Sequence, residues 1–243
     1  MFHNHIEKDY SYGWFTPDIL SRPDKELCRQ FHENTLLTFF FPFYGWFMYI
    51  FLGIRDGNHF IPFQTEKLWA NTPKIESLKC FISTIVVALF AFGYYLFFGQ
   101  SLASMAFYYL APLVIFGWWL VTVTYLQHHH EDPVVYDDHD WNFVDSAFET
   151  VDRKYGLGID ALHHHITDGH VAHHLFFTRI PHYHLPKATK AIKSFLQKKG
   201  MFEKYRFEKT LDFPLRVHQY LMSYGFKARR ASPSPDEREV VVS

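Results

Sequence analysis

The chain alternates between stretches dense in charge and stretches with almost none. Residues 1 to 34 are polar, and "TPDILSRPDKELCRQF" carries helix-start signals at Thr16 and Asp24, which predict loop and short helices. From Thr35 to Ile54, "TLLTFFFPFYGWFMYIFLGI" has no charged residue. Its length would cross a bilayer, yet Pro42, Gly45 and many mid-segment aromatics suit an interfacial or re-entrant piece better. The apolar segment 35–60 is therefore expected at the membrane surface.

Polar sequence returns before two longer uncharged runs. Cys80 to Phe98 covers 19 residues and Leu102 to Leu126 covers 25, with only "GQS" between them. At about 1.5 Å per residue each reaches across a hydrocarbon core of roughly 30 Å. So short a connection predicts a transmembrane hairpin within 75–126, its outer ends on one side. The "GQS" turn has no Lys or Arg, whereas Arg55, Lys67, Lys74 and Lys79 precede the first span, and more cations follow the second. The positive-inside rule puts the outer ends in the cytosol. The expected fold is an all-α integral membrane protein: a two-span hairpin with a cytosolic helical region over 127–227. Within that region "DFPLRVHQYLMSYGF" reads as a small amphipathic element. The Pro-, Ser- and charge-rich tail 228–243 is expected to be disordered.

Composition adds what the pattern lacks. There are 27 Phe, 15 Tyr and 6 Trp in 243 residues, and a formal net charge of −1 offers no basic field for nucleic acid. Cys28 and Cys80 have no metal-type spacing, and a disulfide framework is not expected. No secretory signal opens the sequence, so insertion is expected to use the internal segments.

The 17 histidines are the chemical signal, 12 of them between His128 and His184. In "DGHVAHHLFF", His170, His173 and His174 stand at i, i+3 and i+4, within an arc of about 100° on one helix face. Three neutral imidazoles so placed can hold a borderline transition metal. His128 follows directly on the second span, and the triplet His163, His164 and His165 approaches the third cluster in sequence. So many imidazoles argue for more than one ion. Neighbours in a "HHH" triplet point different ways, however, so at most one or two of each can be ligands. Asp168 is expected to cap the helix or to orient a ring N–H from outside the ligand set. There is no GxSxG, P-loop or HExxH, nor the ExxH repeats of bundle di-iron carboxylate sites.

"TYLQH" at the end of a span, "ETVDRKYG", "HHITDGHVAHHLF" and "IPHYHLPKATKAIK" resemble the C-terminal half of membrane fatty acid desaturases. The likeness is to the Δ12 and omega-3 acyl-lipid type in its nematode-like form, and "NHIEKD" and "DGNHFIPF" extend it over most of the chain. The resemblance implies half of a four-span fold in the endoplasmic reticulum membrane. It also implies two non-haem irons bound by histidine boxes on the cytosolic side, O2 as co-substrate, cytochrome b5 as electron donor and an acyl-lipid or acyl-CoA substrate. On this likeness His170, His173 and His174 match the third box and His128 the additional ligand after the last span. His164 matches a recurrent histidine that is either a ligand or a group supporting one.

In the family "NHIEKD" lies just after the second box, so the first two boxes and the first pair of spans are expected to be missing here. The chain alone is then expected to hold an incomplete ligand set and to be inactive. His3 and His5 lie near the second box but lack its spacing and are not taken as substitutes. Two other readings stay open: an acyl-chain hydroxylase or acetylenase of the same fold, and a non-catalytic membrane metal-binding protein partnering a full-length desaturase.

Overall fold

The structure is a computed structural model describing residues 2–6, 8–9, 14–21, 23, 26–52, 59–60, 62, 69–99, 101–177 and 179–232. Met1, Arg55, Lys67, Gln100 of the turn, most of "DGNHFIPF" and residues 233–243 of the tail lie outside the described residues. The described chain is mostly helical. In order it forms α1 (Pro17–Leu20), α2 (Glu26–Glu33), α3 (Thr35–Leu52), α4 (Lys74–Tyr94), α5 (Leu102–Met105), α6 (Ala111–His128), β1 (Val134–Val135), α7 (Phe143–Phe148), β2 (Val151–Lys154), α8 (Ile159–Leu162), α9 (His170–Phe176), α10 (Leu185–Lys199), β3 (Arg206–Lys209), α11 (Phe213–Ser223) and β4 (Arg229–Arg230). Wider π-helical turns, Tyr95–Gly99 and Ala106–Leu110, prolong α4 and precede α6.

The chain divides into two compact units, one of residues 40–121 and one of residues 1–39 with 122–243. Among the described residues, three helical stretches are long and apolar enough to cross a membrane: Thr35–Leu52, Lys74–Phe97 and Leu102–His128. The segment expected at the interface is thus a continuous 18-residue helix with Pro42 inside it. A proline there removes one N–H and its ring crowds the preceding turn. One turn on, Gly45 leaves room for the Phe41 ring, whose far end would lie 2.5 Å from an added Cβ. The next stretch starts at Lys74, six residues before the uncharged run, because Pro73 sets its start and Glu76 sits favourably in its first turn. Nothing in its apolar window is buried.

Among the described residues of the second unit, two small cores form. Ile6, Trp14, Val135 and Ala228 form one; Val171, Leu196 and Tyr205, backed by Phe148, Leu175 and Ile192, form the other. β2 and β3 pair in parallel with Arg153 opposite Glu208, and β1 pairs in parallel with β4. Residues 228–230, read as tail from their composition, are therefore ordered: Ala228 is buried and Arg229–Arg230 complete a sheet. The amphipathic reading of "DFPLRVHQYLMSYGF" holds as α11, which buries Phe213, Val217, His218, Tyr220 and Leu221.

Candidate metal centre

His128 is the last residue of α6, and α9 opens on His170. Gly169 precedes α9 because a Cβ there would meet the His165 carbonyl at 2.8 Å and Leu185 and Thr189 at 3.2 Å. Val171 and Ala172 are fully buried and fix the roll of α9. His170 and His174 then face His128. The Nε2 atoms of His170 and His128 lie 3.1 Å apart, those of His170 and His174 lie 3.0 Å apart, and one nitrogen from each ring falls within 4.8 Å of the others. All three side chains are buried.

The tautomer of His170 follows from its other nitrogen. Nδ1 donates to the Ile166 carbonyl at 3.0 Å, so in the neutral ring Nε2 carries the lone pair. Burial and the neighbouring His173 push the His170 pKa down to about 3, and burial with His170 alongside holds His174 well below the ordinary value. One lone pair cannot accept hydrogen bonds from two rings, whereas one cation can take all three lone pairs. Bonds of about 2.0–2.1 Å to imidazole nitrogen place neighbouring ligand atoms about 3 Å apart around an ion. The three residues fit a single transition-metal ion, and an all-imidazole set suits iron, zinc, copper or nickel.

The other triplet members have different work. His129 Nδ1 donates to the Tyr125 carbonyl at 2.9 Å, and its ring stacks on Tyr125 and Trp14. His130 Nδ1 accepts from the Asp132 N–H, so its Nε2–H points to Glu149 at 3.3 Å. His173 shares the α9 face but is only part-buried, its ring centroid 5.8 Å from that of His170. His164 is exposed at φ +54° with its ring 4.3 Å from that of His182, outside the three-nitrogen group. Asp168 accepts from His165 Nδ1 at 3.0 Å, while the N-cap of α9 is Gly169, without a side-chain cap. Asp168 thus orients a ring, but that of His165.

One imidazole that spacing alone did not nominate stands against the cluster. The His3 ring stacks 4.9 Å from that of His128 and meets His174 edge-on at 4.1 Å; burial lowers its pKa to about 4. Its approach depends on long-range bonds, Ile6 N–H to the Tyr136 carbonyl and Tyr136 N–H to that of Asn4, which no local pattern encodes.

The segment "ETVDRKYG" frames the site. Glu149 accepts from the Val134 N–H at 3.0 Å besides His130. Asp152 accepts from the Val171 N–H at 2.8 Å and from the Tyr205 hydroxyl; burial raises its pKa to about 6 against those two bonds. Arg153, fully buried, donates to the Leu126 carbonyl at 2.6 Å and the His129 carbonyl at 2.9 Å, and pairs with Glu208. These carbonyls belong to the C-terminal end of α6, where helical groups lack intrahelical partners and a cation is favoured.

The described chain thus combines helices long and apolar enough to cross a membrane with a buried three-histidine cluster that could hold a metal ion, and the comparisons give its family. The fatty acid desaturase family model matches residues 2–207, and the chain belongs to that family. It is 37% identical over 201 residues to the delta(12) fatty acid desaturase fat-2 of Caenorhabditis elegans, covering 80% of this chain and 50% of that protein. With the omega-3 fatty acid desaturase fat-1 of the same organism it shares 40% over 201 residues, 81% of this chain and 46% of that one. An endoplasmic reticulum omega-6 fatty acid desaturase of Glycine max, isozyme 1, is 38% identical over 176 residues, 69% of this chain and 43% of its own length. The chain thus spans about half the length of the curated relatives it matches. No solved structure matches it.

Proposed function

We propose that this chain is the histidine-rich portion of a Δ12- or omega-3-type fatty acid desaturase, an oxidoreductase that introduces a cis double bond into an acyl chain. The observation that carries the reading is that His170 Nε2 lies 3.1 Å from His128 Nε2 and 3.0 Å from His174 Nε2, with one nitrogen of each ring within 4.8 Å of the others, in a chain of this family. Non-haem iron bound there, two ions in the complete enzyme, would supply the O2-dependent oxidation that an unactivated C–H bond requires.

The chain's own residues prepare that chemistry. Burial keeps His170 and His174 neutral, so their lone pairs are available at ordinary pH. The Ile166 carbonyl fixes the His170 tautomer, and α9 sets His170 and His174 one turn apart. Three imidazoles suit one ion, and a second needs further donors. His173 and His164 stay in the proposed ligand set on the family resemblance, with His3 adjacent to the cluster; Asp168 is proposed to act from outside that set, through His165. The exposed apolar helices are proposed to cross the endoplasmic reticulum membrane, α4 and α6 as a hairpin, with 127–227 on the cytosolic side. An acyl-lipid or acyl-CoA would be the substrate, and cytochrome b5 the electron donor.

The test is a fusion of this chain behind the remaining portion of the C. elegans delta(12) relative, expressed in yeast, with analysis of cellular acyl chains. Diunsaturated products are expected from the fusion and none from its His170→Ala variant. Their absence from the unmutated fusion, at equal membrane levels of both proteins, argues against the reading. The unfused chain, purified in detergent, is expected to hold one metal ion. Two ions together with desaturation would overturn the incomplete-site part of the proposal.

A further inference from the structure

The two elements that carry the clustered histidines come from distant parts of the sequence: His128 ends α6, and His170 and His174 lie on α9, 42 to 46 residues later. For three nitrogens to meet, the end of one helix and the start of the other must be held in mutual register. Between them runs β2, four residues long, with its first three side chains buried. Successive side chains of a strand point to opposite faces. Here the two faces carry opposite charges, and each finds a helix end of the complementary sign.

We propose that Asp152 and Arg153 are paired positioning residues that together set the separation of the ligand-bearing helices. Arg153 grips the α6 end through two carbonyls, of Leu126 and His129, which bracket His128 in sequence. Asp152 grips the α9 start through the Val171 N–H, next to His170. A helix start presents N–H groups and partial positive charge, and a helix end presents carbonyls and partial negative charge. A carboxylate and a guanidinium on one strand therefore match the two ends they touch, and exchanging them would put like against like. Each is braced from behind: Asp152 by the Tyr205 hydroxyl, Arg153 by Glu208 and, at 3.4 Å, by the Thr210 hydroxyl. The braces come from β3 and the residues beside it, paired to β2 in parallel. Arg153 Nε and a terminal nitrogen serve two carbonyls at once, which the single ammonium of a lysine cannot reproduce.

The inference rests on the metal-centre reading, and its experiment keeps the two separable. The full chain in detergent is titrated with Co2+ as a spectroscopic probe, and histidine ring 15N resonances are recorded without metal. Asp152→Ala and Arg153→Lys are each expected to weaken Co2+ binding about 10–100-fold, the range typical for partners that orient ligands. Both are expected to change the visible Co2+ spectrum and to move the metal-free ring resonances of His128, His170 and His174. Asp152→Asn keeps an oxygen that can accept from the Val171 N–H and is expected to recover most of the affinity. Val217→Ala removes buried volume from α11 but no hydrogen bond, and is expected to lower the melting point without changing the spectrum. Ring resonances and affinity unchanged in both folded variants would overturn the proposal, as would a Val217→Ala effect on the spectrum as large as theirs. Failure of the unmutated chain to bind Co2+ would instead sink the metal-centre reading, while the metal-free resonances would still decide the positioning.

Discussion

Helix α4 and strand β2 invert the usual rule of burial in opposite directions. In α4, Ile82, Val86, Leu89, Phe90 and Phe92 are exposed; in β2, Asp152 and Arg153 are fully buried. So broad an exposed apolar surface is stable only where something other than water covers it, and the hydrocarbon of a bilayer does so without requiring any specific contact. A buried charge has no such general remedy. It needs a partner for each polar atom, in place and correctly aimed. The difference teaches that one region's stability resides in its composition and the other's in its geometry, so the two should respond to mutation in unlike ways.

The largest expected effect lies on the geometric side. Asp160 is buried and accepts from the Tyr155 N–H at 2.9 Å, the Gly156 N–H at 2.8 Å and the Thr167 hydroxyl at 2.7 Å. Asp160→Ala strands three donors and should destabilise the fold by about 3–5 kcal/mol, at roughly 1–3 kcal/mol for each donor left without a partner in the interior. The readout is the thermal midpoint of the detergent-solubilised chain. A midpoint near that of the unmutated chain would contradict the contrast with α4.

Next comes a charge in α4. Leu89→Lys near the middle of an apolar span should raise the cost of membrane insertion by about 3 kcal/mol, seen as a lower inserted fraction in a glycosylation-mapping assay. On a water-facing helix the same exposed change would stay within about 0.5 kcal/mol. Full insertion of the lysine variant would therefore remove the bilayer from the explanation.

The smallest effect is a pH dependence of the metal-free chain. His170 is held down to about 3 and His3 to about 4, both chiefly by burial, against about 6.5 in an unfolded chain. Below pH 6.5 the unfolded state binds protons that the folded state refuses. Stability is thus complete above that value, declines as pH falls, and keeps declining until the folded pKa values are reached. The loss by pH 6 should be on the order of 1 kcal/mol for a ring as buried as His170. A melting point constant from pH 7.5 to pH 4.5 would show that these rings are not buried neutral.

Local periodicity made the apolar helices and the α9 face legible, because both are properties of residues a few positions apart. It could not separate His173 from its neighbours, since an arc of about 100° contains all three histidines and only the packing of Val171 and Ala172 decides which of them turn toward His128. The absence of charge marks the run from Cys80, whereas the helix itself begins at Lys74, because "PKIESLK" is good helix sequence that happens to be polar. Asp168 was a sound N-cap on residue type, but the close approach of the His165 carbonyl and Leu185 gives that position to Gly169. The parallel pairing of β2 with β3 joins residues 55 apart, and the nearness of His3 to His128 spans 125 positions. Neither leaves a trace in any window of sequence. "ETVDRKYG" carries a likeness to a family, but only the tertiary contacts assign a task to its acidic and basic residues.

Strand β2 has a consequence for how this sequence can change. Because its alternate side chains serve different helices, a single inserted or deleted residue would not merely shift the chain by about 3.3 Å; it would deliver the guanidinium to the N–H groups of α9 and the carboxylate to the carbonyls of α6. Conservative replacements within the strand are graded errors, whereas a change of length is an all-or-nothing one. Drift in this segment is therefore confined to spelling, with the count of letters held fixed.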